Sequence, residues 1–230
     1  MSGSTLPQGG AGANPGVVLL GSTFIRSWIH AAAADVAVHR DYLTQLDAAI
    51  GDADHGVNMD RGFAAALLAL GGDAELPPGR LLEAVGNAIV FKVGGASGPL
   101  YGTALRGAGS ALGDSATFDG EELLGALRAA LEGIQRLGAA VEGDKTIVDA
   151  WLPAVAAFER ELRSGGTVVE ASARAAVAAD EGARETVPMQ ARKGRASYLG
   201  PRSVGHQDPG ATSTALLFSA LARAAREIAA

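Results

Sequence analysis

The sequence predicts an all-α protein whose consecutive helices pack as antiparallel neighbours. Apolar residues recur at spacings of three and four along most of the chain, and this spacing places them on one face of a helix. Strand signals are weak, since even the β-branched pair Val168-Val169 opens an Ala-rich helical stretch. The links between the periodic stretches are short, which favours antiparallel packing.

The apolar stripes define the individual helices. In chain order, the predicted helices cover residues 17–37, 38–49, 57–71, 79–92, 98–113, 119–141, 147–164, 168–182 and 210–229. Clear stripes are Met59-Phe63-Ala66-Leu70, Leu124-Leu127-Leu131-Ile134, Val148-Leu152-Val155-Phe158 and Leu217-Leu221-Ala224-Ile228. We expect residues 17–230 to form a single domain and the Gly-rich residues 1–16 to form a flexible tail.

Several helix starts carry capping signals. Asp208 precedes Pro209, a typical N-cap followed by proline at the first helical position. Ser97 is expected to cap the helix that contains Pro99, and Thr146 with Asp149 resembles a capping box. The first turn of a helix offers free N–H groups and the positive end of the helix dipole, so these starts favour phosphate binding if they meet.

The composition excludes several classes of protein. The chain of 230 residues has 48% hydrophobic residues, no cysteine and a net charge of −6. The absence of cysteine excludes disulfides and thiolate sites, and the acidic balance argues against nucleic-acid binding. No uncharged stretch after the Gly-rich start reaches the roughly 20 residues that a membrane helix needs, and the start itself lacks the pattern of a signal peptide. A cytoplasmic location is therefore expected.

The most informative stretch is an acidic turn, residues 47–54, which contains Asp47, Asp52 and Asp54. Three carboxylates that converge beside apolar neighbours repel each other unless a cation neutralises them. Hard oxygen ligands without cysteine suit Mg²⁺, which proteins usually share with substrate phosphates. A solvated acidic loop is the alternative interpretation of this stretch taken alone.

Five motifs in order resemble those of the nucleotide-binding L subunit of dihydroxyacetone kinases, and the resemblance extends from about residue 20 to the C-terminus. The motifs are Leu46–Met59, Gly94–Gly102, Gly143–Thr146, Lys193–Gly200 and Gly205–Ser213. The resemblance implies an eight-helix antiparallel barrel with a nucleotide, ADP or ATP, at one open rim. It also implies that Asp47, Asp52 and Asp54 hold two Mg²⁺ ions and that these residues act in catalysis together with Arg195.

The nucleotide-binding residues that the resemblance implies come from all five motifs and the neighbouring helices. They are His55, Gly56, Asn58, Ala96, Ser97, Gly98, Gly138, Ile147, Arg195, Asp208, Pro209 and Gly210. Ala53 departs from the pattern, because the family usually has glycine there. If position 53 has a positive φ, alanine there costs about 1 kcal/mol or more.

The resemblance implies a phosphotransferase subunit of a dihydroxyacetone, or other small ketose, kinase. Phosphate would pass from a phosphoenolpyruvate-dependent phosphocarrier, the M subunit, through bound ADP to a substrate held on a separate K subunit. Since no K-like segment is found in the sequence, we expect this chain to be inactive alone. The alternatives are an ATP-dependent kinase of a three- or four-carbon sugar with a separate K polypeptide, and a nucleotide-sensing adaptor that binds a transcription regulator.

Some residues keep two interpretations at this point. The Gly94–Gly102 run could contact nucleotide or form a close helix crossing, although it is not a Walker A loop. Lys145 could be a functional group or only a surface charge. Trp28 and Trp151 lie on apolar stripes, which favours a core or partner-facing position over stacking on a cofactor.

Overall fold

The computed structural model describes residues 18–71 and 75–230, so the predicted tail 1–16 lies outside the described residues. Within these ranges the chain forms eight α-helices, one 3₁₀ segment and a two-stranded antiparallel ribbon. The helices are α1 Ser22–Ile50, α2 His55–Leu70, α3 Pro78–Lys92, α4 Ser97–Leu112, α5 Gly120–Gly138, α6 Val148–Arg163, α7 Val168–Glu185 and α8 Pro209–Ala229. The 3₁₀ segment is Arg195–Ser203, and the strands are β1 Leu20–Gly21 and β2 Thr117–Phe118.

The eight helices form a closed ring. Each helix packs against the next one in the sequence, and α8 packs back against α1. Because consecutive helices pack as antiparallel neighbours, the starts of α2, α4, α6 and α8 gather at one end of the ring with the ends of α1, α3, α5 and α7. We call this end the site rim. The all-α prediction and the eight-helix barrel are confirmed.

The apolar stripes meet inside the ring. Both tryptophans belong to this core: the Trp28 indole N–H donates to the carbonyl of Leu217 at 2.9 Å, and Trp151 donates to Leu127 at 3.2 Å. The Trp151 ring also meets Phe218 edge to face, with centroids 5.2 Å apart. None of the helices in the described part of the chain is long and apolar enough to cross a membrane.

One prediction was wrong and one element was missed. The predicted helices 17–37 and 38–49 form one continuous helix, α1, which begins only at Ser22, after the strand Leu20–Gly21; no glycine or proline interrupts Ser22–Ile50. The 3₁₀ segment was missed because Gly200, with φ 55°, and Pro201 interrupt any regular apolar spacing there.

The capping predictions have three different outcomes. Asp208 caps α8 as predicted and accepts the N–H of Ala211 at 2.7 Å. The N-cap position of α4 is Ala96, so Ser97 is already helical and its hydroxyl contacts His55 instead. Asp149 accepts the N–H of Thr146 at 2.6 Å as the predicted box requires. However, Thr146 accepts from Val148 rather than from Asp149, so the box is incomplete.

Candidate functional site

The end of α1 and the start of α2 bring the acidic turn to the site rim. The buried Asp47 carboxylate accepts the backbone N–H groups of Asp54 at 2.9 Å and His55 at 3.1 Å, which folds the turn back onto α1. Gly51 makes this possible, since a Cβ at that position would lie 2.0 Å from Oδ1 of Asp47.

The three aspartates converge as expected for a cation site. One ligand oxygen from each of Asp47, Asp52 and Asp54 lies within 4.8 Å of the others. All the candidate ligand atoms are carboxylate oxygens, and this donor set fits Mg²⁺ rather than a softer metal ion. Arg195 reaches the turn from the 3₁₀ segment and forms an ion pair with Asp52 at 3.0 Å. The turn therefore combines three anionic ligands with one cationic group.

Ala53 sits between two of these carboxylates with a strained backbone. Its φ is 62°, a left-handed conformation that a residue with a Cβ rarely adopts. Position 53 therefore has the positive φ at which alanine, in place of the family's usual glycine, is costly. The chain holds Asp52 and Asp54 in place in spite of this strain.

A chain of hydrogen bonds runs from the cavity into the core. The buried imidazole of His55 contacts the hydroxyl of Ser97 through Nδ1 at 3.2 Å and that of Ser213 through Nε2 at 2.9 Å. Ser213 in turn contacts the buried Tyr101 hydroxyl at 2.8 Å. Burial lowers the pKa of His55, although the charges of Asp47 and Asp54 oppose this shift. A neutral imidazole thus joins α2 to α4 and α8.

The loop between α3 and α4 forms another wall of the cavity. Gly94 approaches the buried Asn58 side chain closely, since a Cβ at Gly94 would lie 3.0 Å from the Asn58 amide nitrogen. Gly95 has a φ of 65°, which glycine adopts without strain. The close approach explains Gly94, and the positive φ explains Gly95.

The opposite end of the cavity is apolar and comes from α4, α5 and α6. The side chains there offer no charge, and a Cβ at Gly138 would lie 3.3 Å from Cδ2 of Leu100. A flat ring fits such a wall better than a charged group. The apolar lining residues are Leu100, Ile134, Gly138, Ala140, Ile147 and Val148.

The start of α8 completes the cavity. Burial raises the pKa of the Asp208 carboxyl to about 7, and the nearby negative charges of Asp149 and Asp47 act in the same direction. The N–H of Ala211 and the ammonium of Lys145 oppose the shift. Asp208 thus lies in the floor of the cavity as a buried cap rather than as an exposed ligand.

These walls enclose a cavity of about 280 Å³ that runs from the acidic turn to the apolar end. The sequence-predicted residues that line it are Asp47, Asp52, Asp54, His55, Asn58, Ala96, Ser97, Gly138, Ile147, Arg195, Asp208, Pro209 and Gly210. Gly56 and Gly98 lie outside the lining. They allow close packing instead, because a Cβ would fall 1.9 Å from the carbonyl of Arg40 and 2.3 Å from that of Val93, respectively.

Some lining residues were not among the predicted site residues. Most of them lie within the five motifs, which could therefore have found them: Ile50, Gly51, Gly94, Gly95, Leu100, Lys145, Thr146, Lys193, Gly194 and Ala196. The others, Ile134, Ala140 and Val148, lie outside the motifs. These three apolar residues gave no signal of their own, because apolar residues also build the core.

Residues 49–223, about three quarters of the chain, match the model of the DAK2 domain. The chain belongs to the DAK2 domain family. It is 42% identical over 208 residues to the ADP-binding subunit DhaL of the PEP-dependent dihydroxyacetone kinase of Escherichia coli, covering 90% of this chain and 99% of that protein. It is also 37% identical over 198 residues to the D-erythrulose kinase of Mycolicibacterium smegmatis, covering 85% of this chain but only 34% of that enzyme.

A solved structure shares this architecture. The crystal structure of the dihydroxyacetone kinase of C. freundii in complex with AMP-PNP and Mg²⁺ matches 97% of this chain with a TM-score of 0.68. The sequence identity is 24%, and this chain spans 38% of that enzyme. At this identity the match shows the fold alone.

Proposed function

We propose that this chain is the Mg²⁺- and ADP-binding phosphotransferase subunit of a PEP-dependent kinase that phosphorylates dihydroxyacetone. The observation that carries the proposal is the cavity with three clustered carboxylates at one end and an apolar wall at the other. A Mg²⁺–nucleotide needs both ends, one for the charged phosphates and one for the base. The near full-length similarity to a subunit named ADP-binding supports ADP as the nucleotide.

The chain's residues would position the phosphates rather than form bonds to them. Phosphoryl transfer depends on in-line positioning and on neutralising charge. Asp47, Asp52 and Asp54 would hold Mg²⁺, which when bound offsets the charge of the phosphate oxygens. Arg195 lies on the same side of the cavity and would bind a phosphate oxygen, while the N–H groups at the start of α4 would bind others.

The similarities favour a subunit with resident ADP over an ATP-dependent sugar kinase. The chain aligns with nearly all of the E. coli subunit but with about a third of the erythrulose kinase. Phosphate would thus reach ADP from a phosphocarrier M subunit, and the protein would work in the cytoplasm. The binding of a transcription regulator stays a prediction, since no contact in the structure points to it.

The acceptor would come from a separate K subunit that docks at the site rim. Large apolar side chains are exposed around the cavity mouth, among them Phe91 at the end of α3 and Tyr198 in the 3₁₀ segment, 83% and 87% exposed. Val57, Leu137 and Val141 lie at the same end and are also exposed. Exposed apolar groups around a cavity mouth are typical of a protein interface.

The metal and nucleotide assignment is tested by native mass spectrometry of the purified protein in Mg²⁺. We expect a mass increment of ADP plus Mg²⁺ that survives dialysis, and the increment itself counts the ions, for which two are predicted. Asp52→Asn and Asp54→Asn should lose the increment and keep their helical content, whereas Asp60→Asn on the neighbouring helix α2 should retain it. Retention by both site variants would refute the assignment.

Native mass spectrometry also tests whether the phosphate donor is a phosphocarrier or ATP. A protein that is purified empty and exchanges ATP reversibly would support the ATP-dependent alternative. Reconstitution with a K subunit and either a phosphorylated phosphocarrier or ATP, with dihydroxyacetone or erythrulose as acceptor, would then identify donor and acceptor directly.

The docking surface is tested with two equally exposed residues. Phe91→Asp at the site rim should weaken binding to the K subunit by about tenfold or more, since charge at the centre of an apolar interface is strongly unfavourable. Leu68 is also 83% exposed but lies near the end of α2, at the far end of the ring. Leu68→Asp should bind normally, and equal effects of the two changes would contradict docking at the site rim.

A further inference from the structure

Lys145 is buried at the back of the site rim, with 1% of its surface exposed. Its ammonium donates to three backbone carbonyls, those of Met189 at 3.1 Å, Ser203 at 2.7 Å and His206. A lysine has three N–H groups, so these three acceptors use its donor capacity in full. The interpretation of Lys145 as a surface charge was wrong.

The three carbonyls belong to both limbs of one loop, residues 187–206, which we call the arginine loop because it carries Arg195. The N–H of Gly205 donates to the carbonyl of Val187 at 2.8 Å and closes the base of this loop. The N–H of Arg192 donates to the carbonyl of Asp144 at 3.0 Å, which links the loop a second time to the segment that contains Lys145.

The arginine loop has little apolar anchorage of its own. Its buried apolar residues, Ala191 and Ala196, pack with Ile50 in a small cluster that is separate from the main core. The other internal contacts are polar: the Ser203 hydroxyl accepts the N–H of Ala191 at 2.9 Å and donates to the carbonyl of Gly200 at 2.7 Å. The position of the loop therefore depends on polar contacts, and the ammonium of Lys145 supplies three of them.

The backbone at Lys145 is strained in order to make these contacts. Its φ is 62°, which a lysine adopts only where the surrounding structure imposes it. The strained backbone, the buried ammonium and the loop that it holds from both sides therefore occur together at the cavity wall.

We propose that Lys145 is a positioning residue that fixes the arginine loop so that Arg195 faces the phosphates of the bound nucleotide. This inference rests on the proposed function, because it assumes that Arg195 binds a phosphate. Arg195 already lies at the acidic turn, where it pairs with Asp52 at 3.0 Å. Lys145 acts through the loop, because the three N–H groups of its ammonium are all used by backbone carbonyls of that loop.

The proposal is tested by the affinities of Lys145→Met for Mg²⁺–ADP and for adenosine, measured by calorimetry. Methionine keeps much of the side-chain length but removes the ammonium. We expect the affinity for Mg²⁺–ADP to fall about tenfold or more, as in Arg195→Met, and the affinity for adenosine to stay within about twofold of the original protein. Lys92→Met, which removes an exposed lysine outside the cavity lining, is the matched control and should bind both normally.

A double-mutant cycle separates positioning from a general structural role. If Lys145 acts through Arg195, the change Lys145→Met should have little further effect in an Arg195→Met background. Limited trypsin digestion gives a second readout, because Arg192, Lys193, Arg195 and Arg202 all lie in the arginine loop. Cleavage at these four sites should rise in Lys145→Met while cleavage elsewhere in the chain stays at its original rate.

A second variant, Lys145→Gly, tests the proposal if Lys145→Met does not fold. Glycine accepts the φ of 62° without strain, and added n-butylammonium, which matches the deleted side chain, should restore affinity for Mg²⁺–ADP. The positioning role would be overturned if Lys145→Met kept its affinity, lost affinity for ADP and adenosine equally, or showed losses that add to those of Arg195→Met. It would also be overturned if both Lys145 variants unfolded, or if the glycine variant folded but was not rescued by n-butylammonium. A parent protein that does not bind Mg²⁺–ADP would instead refute the proposed function.

Discussion

The strained backbone at Ala53 predicts that a change to glycine raises the stability of the protein, whereas glycine usually lowers it. A left-handed conformation costs a residue with a Cβ about 1–2 kcal/mol, and Ala53 has a φ of 62°. The change Ala53→Gly removes this cost but also increases the entropy of the unfolded chain, which offsets about 0.4–1 kcal/mol. We expect Ala53→Gly to increase the free energy of unfolding by about 0.5–1 kcal/mol, or the Tm by about 2 °C.

Urea unfolding followed by circular dichroism, without Mg²⁺ or nucleotide, measures this effect. Ala64→Gly is the matched control, because Ala64 is exposed in the interior of α2, where glycine should lower stability by about 1 kcal/mol. Ala139, with a φ of 45° after the end of α5, should behave like Ala53. The reasoning fails if Ala53→Gly is no more stable than the original protein. A loss of stability as large as that of Ala64→Gly would show that position 53 behaves like an ordinary helical position.

Two further predictions concern buried polar groups. Within the described part of the chain, the buried Ser172 hydroxyl has no hydrogen-bond partner, so Ser172→Ala should leave the free energy of unfolding unchanged or raise it by about 1 kcal/mol. Ser213→Ala, which deletes a bonded hydroxyl, should lower it in the same urea assay. In the folded protein the Asp208 carboxyl has a pKa of about 7, whereas in the unfolded chain it loses its proton above about pH 4. Between these two values only the folded state holds the proton, so the stability that Asp208 contributes is lost as the pH rises towards 7. The stability of Asp208→Asn relative to the original protein should therefore grow by up to about 1.4 kcal/mol per pH unit between pH 5 and 7, and a constant difference would contradict the shift.

The parts of the site that sequence could predict are those that local spacing controls. Asp47, Asp52 and Asp54 lie within one helix-to-helix turn, so their convergence follows from a stretch of eight residues. The cap at Asp208 is also local, since it requires only the next three residues. The all-α class and the antiparallel packing of neighbouring helices followed from the apolar stripes in the same way, whereas the eight-helix ring was implied by the family resemblance.

The parts that sequence could not predict depend on contacts between distant residues. The carbonyls that bind Lys145 lie 44, 58 and 61 positions further along the chain, and no periodicity brings them to it. His55 and Ser213 are 158 positions apart. The failed cap at Ser97 has the same origin, because its hydroxyl contacts a histidine on another helix in place of its own backbone.

The helices that start at the site rim differ in what their first N–H groups bind. The first N–H of α2 donates to Asp47, that of α6 donates to Thr146, and Asp208 caps α8. In contrast, α4 starts without a side-chain cap, which leaves its first turn suited to bind an anion. All three non-glycine residues with positive φ in the described part of the chain, at positions 53, 139 and 145, also lie at this rim. The strained backbone of the described residues is thus concentrated at the rim that carries the cavity, where strain is typical of a functional site.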